Sequence, residues 1–105
     1  MMTDPFNALA DPTRRSMLML LAERPRPVNE LTEQFDISRP AVSKHLRVLE
    51  GANLVRYARG ATDGRQRVVH AELQALMELD DYLSQLRQTW EDRLDKLGNL
   101  LDEMK

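Results

Sequence analysis

The chain has 105 residues, 42% of them hydrophobic and 30% charged, with a net charge of −2. That is the size of a single domain, 1–105, with no room for a second. The lack of cysteine excludes disulfides, thiolate metal sites and thiol chemistry, and the longest apolar run, Met17–Ala22, is too short to span a bilayer.

Asp4-Pro5 and Asp11-Pro12 both read as helix starts, with Asp as N-cap and Pro at the first helical position. The spacing predicts a short helix over about 5–10 that exposes Phe6 and Leu9. A longer helix over about 12–23 follows, with clustered Met17, Leu18, Leu20 and Leu21 marking it as buried. Pro25 and Pro27 stop it. A third helix over about 28–35 carries Leu31 and Phe35 at i, i+4, and Asp36-Ile37 supplies a turn. Ser38 caps a fourth helix over about 39–50, and Gly51 stands where a C′ glycine belongs. On this helix Val42, Leu46 and Leu49 form the apolar stripe, and Arg39, Pro40, Ser43, Lys44 and Arg47 face away from it.

Two strand-like runs follow, Leu54–Arg59 and Gln66–Ala71, joined by a link containing Asp63-Gly64, a hairpin signal. The last third, about 71–104, is helical. Leu76, Leu79, Leu83, Leu86 and Trp90 keep heptad spacing, resumed at Leu94, Leu97, Leu101 and Met104. The extra four-residue step at Trp90–Leu94 predicts a break or a bend there, and Gly98-Asn99 is a second weak point.

Charge is unevenly placed. Residues 1–70 carry 11 basic and 8 acidic groups, whereas 71–105 carry 4 and 9. Within 38–70, seven basic residues stand against Glu50 and Asp63 alone. A polyanion partner for the middle of the chain follows. Two short helices, a tight turn and a basic second helix make a helix-turn-helix, and the basic hairpin behind it makes a wing. The major groove admits one helix. Ser38, Arg39, Pro40, Ser43, Lys44, His45 and Arg47 are the expected DNA contacts of that helix. Arg59, Arg65 and Arg67 are those of the wing, over about 54–71. His45 is read as a phosphate or structural contact rather than a metal ligand, because no second ligand stands near it in sequence.

The fold class is therefore mainly α with a two-stranded β wing: a winged helix-turn-helix with a long C-terminal dimerisation helix. A 34-residue helix over 71–104 would run roughly 51 Å, overhang its own domain and need a partner.

The string Leu9-Ala10-Asp11-Pro12-Thr13-Arg14-Arg15, then Val28-Asn29-Glu30-Leu31, then Ile37-Ser38-Arg39-Pro40-Ala41-Val42-Ser43-Lys44-His45-Leu46, then Asn53-Leu54-Val55 and Gly64-Arg65, resembles the ArsR family of bacterial repressors. The resemblance is colinear from about Phe6 to His70. It implies a homodimeric winged-helix repressor whose dimer is built from the first and last helices. Phe6, Leu9, Leu76, Leu79, Leu83, Leu86 and Trp90 stand where that interface falls. The family's metal-sensing Cys-Val-Cys-Asp-Leu motif aligns with Pro27-Val28-Asn29-Glu30-Leu31, so both thiolates are missing. No histidine follows His70 to build the alternative site on the last helix. The chain thus resembles a cysteine-free, non-metal-sensing branch that carries Trp90 followed by Arg93-Leu94-Asp95, and no metal or cofactor is expected.

Other features have plainer readings. The six methionines are read as core filler, and Asp92 with Lys96 as a surface pair. No Ser-His-Asp arrangement and no glycine-rich phosphate loop points to an enzyme. The expected partners are double-stranded DNA and a second copy of the chain, with no membrane and a cytoplasmic location. The expected function is a sequence-specific repressor that occludes a promoter at a near-palindromic operator. Two alternatives stay open: a sensor of the same fold gated by a small-molecule effector, and a protein-binding adaptor that uses the acidic, leucine-rich C-terminal helix.

Overall fold

A computed structural model describes residues 4–60 and 64–104. The elements run α1 (Pro5–Ala8), α2 (Pro12–Glu23), β1 (Arg26–Pro27), α3 (Val28–Gln34), α4 (Arg39–Gly51), β2 (Val55–Arg59), β3 (Arg67–Ala71) and α5 (Leu73–Glu103). The two Asp-Pro starts act as expected. The Asp4 Oδ1 accepts from the Phe6 N–H at 2.9 Å. The Asp11 Oδ1 accepts from Thr13 at 2.8 Å and from Arg14 at 3.1 Å. Each aspartate satisfies N–H groups that a helix start leaves without intrahelical partners.

The expected hairpin forms, with β2 antiparallel to β3 in the register Val55↔Ala71 through Arg59↔Arg67. Gly60 and Gln66 extend it by one hydrogen bond of 2.9 Å. The rest of the predicted link, Ala61, Thr62 and Asp63, lies outside the described residues. A third strand joins the pair: β1 runs antiparallel to β3, giving the order β1-β3-β2. The proline-flanked segment between α2 and α3 is thus part of the sheet as well as a helix stop. Arg26 there is buried, with its Nε on the Leu20 carbonyl at 3.1 Å and its Nη atoms on Glu23 and Glu30 at 2.9 and 2.8 Å.

Gly51 is the last residue of α4, not the C′ residue. Asn53 takes the left-handed conformation instead, with φ 60°. The Asn53 N–H bonds the Glu50 carbonyl and the Leu54 N–H bonds the Leu49 carbonyl, each at 3.0 Å. That is a Schellman cap, and Leu49 and Leu54, fully buried, are its apolar pair.

The core is one cluster contributed by every helix and by the hairpin: Ala8, Met17, Leu18, Leu21, Leu31, Val42, Leu46, Leu49, Leu54, Val55, Val69, Ala75 and Leu79 among others. Met17 is the methionine that fills it. Met19, Met77 and Met104 are exposed, which corrects the reading of the methionines as core filler; Met1 and Met2 lie outside the described residues.

α5 is one unbroken helix of 31 residues, about 46 Å long. The expected break at Trp90 does not occur. Leu79, Leu83, Leu86 and Trp90 repeat eleven residues later as Trp90, Leu94, Leu97 and Leu101. An eleven-residue repeat matches the natural pitch of a helix closely, so the stripe stays on one side of an unbroken helix. Gly98 sits inside the helix with open space around it. The protruding helix stretches the molecule to 71 × 28 × 26 Å. The radius of gyration is 19.5 Å, against about 13 Å for a compact chain of this length. Among the described residues no helix is long and apolar enough to cross a membrane.

Candidate nucleic-acid interface

The helix-turn-helix consists of α3, the connection Phe35–Ser38 and α4. Ser38 adopts an extended backbone, and its Oγ accepts from the Ala41 N–H at 3.3 Å. That cap fixes where α4 begins and leaves Arg39 and Pro40 in its first turn. Val42, Leu46 and Leu49 are fully buried, anchoring one side of the helix. Arg39, Pro40, Lys44 and Arg47 are exposed on the other, with Ser43 partly so. Neither Arg39 nor Lys44 forms an ion pair among the described residues.

His45 departs from that face. It stands three residues after Val42 and four before Leu49, on the apolar side of α4. It is half-buried, and its Nδ1 lies 3.4 Å from Nη1 of Arg14 on α2. Of the two roles expected for His45, phosphate contact or structural contact, this neighbour on α2 fits the structural one.

The hairpin brings its arginines to the same side. Arg59 and Arg67 face each other directly across the ladder. Like charges so placed repel. Arg67 lies with its guanidinium 3.9 Å from the centre of the Tyr57 ring, a cation–π contact from the diagonal position of the ladder. Burial pushes the Tyr57 phenol above its ordinary value, so the ring stays neutral. Arg56, on the opposite face of β2, pairs instead with Glu72 at 2.5 Å, at the start of α5.

Two clefts join helix to wing. One, of about 230 Å³, is lined by Arg39 and Ser43 of α4, Arg65, Gln66 and Arg67 of the hairpin, and Val28 and Asn29 of α3. Among the described residues no carboxylate lines it. The second runs along Ser43, Arg47, Glu50, Tyr57 and Arg67. The structure thus gathers Arg39, Ser43, Arg65 and Arg67 at one place, with Lys44, Arg47 and Arg59 exposed and outside that cleft. Asn29, Gln66 and Tyr57 were not expected there. No periodicity marks Asn29 or Gln66, because they meet only when α3 packs against β3. Tyr57 was legible as the same-face diagonal neighbour of Arg67 once the hairpin register is set.

The expected dimer residues divide into two sets. Leu79 belongs to the chain's own core and Leu76 is partly packed against it, as is Leu9. Phe6, Leu83, Leu86 and Trp90 remain exposed. Phe6 also meets Tyr82 of α5 edge to face, with ring centres 5.2 Å apart. On α5, Asp92 accepts from Gln88 at 3.1 Å rather than pairing with Lys96, and Arg87 pairs with Glu91. Glu30, in the segment aligned with the family's thiolate motif, is held by Arg24 and Arg26. Among the described residues no three potential ligands cluster as a metal site.

These features define a winged helix-turn-helix protein. Residues 11–57 match the family described as bacterial regulatory protein, arsR family. A solved ArsR family transcriptional regulator is 35% identical, with a TM-score of 0.73 over 82% of this chain and 91% of that one. The chain belongs to the ArsR family. It is 52% identical over 50 residues to the HTH-type transcriptional regulator Rv2034 of Mycobacterium tuberculosis, covering 48% of this chain and 47% of that protein. It is 39% identical over 54 residues to the transcriptional repressor SdpR of Bacillus subtilis, covering 51% of this chain and 60% of that one. The chain spans about half the length of these curated relatives.

Proposed function

We propose that this chain is a sequence-specific DNA-binding repressor that works as a homodimer. The observation that carries this reading is the cleft where Arg39 and Ser43 of α4 meet Arg65 and Arg67 of the hairpin, three arginines brought together from two elements. Such a notch suits a phosphate oxygen, while Lys44 and Arg47 on the same outer face of α4 are free to reach base edges. The names of the relatives, one regulator and one repressor, support the same conclusion.

Dimerisation rests on α5. Leu83, Leu86, Trp90, Leu94, Leu97 and Leu101 are each 44–62% exposed on a helix that extends past its own domain. A second copy packed along that stripe, with α1 alongside, would place two reader helices about 34–36 Å apart, matching successive major grooves of a near-palindrome. Repression then follows from occlusion of the promoter.

The test is selection from random duplexes by the purified protein at about 150 mM salt, where sequence-blind attraction is largely screened. Enrichment of a near-palindrome is expected. Recovery of no motif would overturn the reading and turn attention to an adaptor role for the acidic α5.

A further inference from the structure

Arg14 joins three elements. It leaves α2 in the first turn, where Asp11 holds its backbone N–H at 3.1 Å. Its Nε donates to the Ala8 carbonyl at 2.6 Å and its Nη2 to the Asn7 carbonyl at 3.2 Å, both at the end of α1. Its Nη1 lies 3.4 Å from the His45 Nδ1, on α4. α1 in turn touches α5 through Phe6 and Tyr82. A single planar guanidinium therefore stands between the helix that reads DNA and the helix pair assigned to the dimer. Its donors are fixed in one fork, so the three contacts constrain each other's direction. A lysine ammonium in that place could not keep all three.

We infer that Arg14 is a positioning residue. It fixes the angle of α4 against α1 and α5, and with it the half-site spacing that the dimer accepts. His45 is its acceptor on the reader helix, which accounts for a half-buried ring on a helix whose neighbouring basic residues are exposed. This inference rests on the dimeric DNA-binding reading above. It predicts a defect in geometry rather than in contact, because neither side chain need touch the duplex.

The test compares three duplexes: the selected operator, the same operator with two base pairs inserted at its centre, and a single half-site. Wild-type protein is expected to lose at least about tenfold in affinity on insertion. Arg14→Lys and His45→Leu are expected to bind the selected operator about tenfold more weakly, a loss on the scale of one charge-assisted hydrogen bond. Their penalty for insertion should shrink, with half-site affinity unchanged to within about twofold. His45→Gln, which keeps an acceptor, is expected to restore the wild-type spacing profile. Folding and dimerisation are checked by circular dichroism and sedimentation; if His45→Leu does not fold, Arg14→Lys carries the comparison. Folded, dimeric variants that keep the full insertion penalty would overturn the inference. Wild-type protein that selects no duplex would instead overturn the DNA-binding reading, a distinguishable failure.

Discussion

At the scale of single residues, the interface combines exposed donors with donors held in place. Arg39 and Lys44 project from a helix whose other side is locked into the core, so removing either should leave the fold intact. Arg39→Ala and Lys44→Ala are each expected to weaken specific binding by about 1–3 kcal/mol where the contact is to a base. Circular dichroism should be unchanged and titration of the selected operator shows the loss. Retained affinity in both variants would remove α4 as the reader. Arg65→Ala should weaken all sequences alike and flatten the salt dependence by about one unit, as expected for loss of one phosphate contact. The face of α4 was legible because a single turn-by-turn period separates Val42, Leu46 and Leu49 from Arg39, Ser43, Lys44 and Arg47. The same period places His45 beside Val42 and Leu49, and a basic neighbour, Lys44, obscured it. Asn29 and Gln66 had no such signal, since nothing local distinguishes them from other polar residues at element ends.

At the scale of elements, the termini decide more than the interiors. The left-handed residue that ends α4 is Asn53, which tolerates that conformation better than most side chains but less well than glycine. Asn53→Ala is expected to cost about 1 kcal/mol of stability, and Asn53→Gly to be neutral or stabilising, in urea unfolding. The glycine at position 51 had pointed to the right motif two residues too early, because Ala52 extends the helix by its own bonds to the Val48 and Leu49 carbonyls. β1 was not legible for a different reason. Two residues, Arg26 and Pro27, are too few to carry an alternation, and only pairing with Val69 and Val68 makes them a strand. The start of α2 gives a pH prediction. The Arg14 backbone N–H, foremost, holds the Asp11 carboxyl below its ordinary value of 3.8. A depressed value in the folded state means stabilisation that is present above the unfolded value and lost as pH falls through the folded one. The stability gap between wild type and Asp11→Ala should therefore stay constant above about pH 5 and narrow below about pH 4. Denaturant unfolding at a series of pH values reads this directly.

At the scale of the whole molecule, α5 is a helix with too little of its own protein to cover it. Its exposed leucines and Trp90 leave an apolar stripe uncovered in the single chain, which the proposed dimer would cover. Leu86→Glu replaces a side chain that is 44% exposed in the single chain. It should cost the protomer fold little yet place a charge in the middle of the proposed seam. Sedimentation is expected to show a shift from dimer to monomer, with operator affinity falling together with it; an unchanged dimer would move the interface off this face. The length of α5 was legible from its leucines. Its continuity was not, because two phases of the pattern meet at Trp90, and a strict heptad reading treats that as a fault.

The separation of basic and acidic segments has a kinetic consequence. Residues 1–70, which include α4 and the hairpin, carry 11 basic and 8 acidic groups, while 71–105, most of it α5, carry 4 and 9. The charge is therefore divided along the chain despite a net value of only −2. On the proposed DNA-binding reading, a polyanion attracts the basic segment and repels the acidic one, which favours encounters that bring α4 and the hairpin to the duplex. Added salt should then act mainly by slowing arrival, with departure from the operator changing far less.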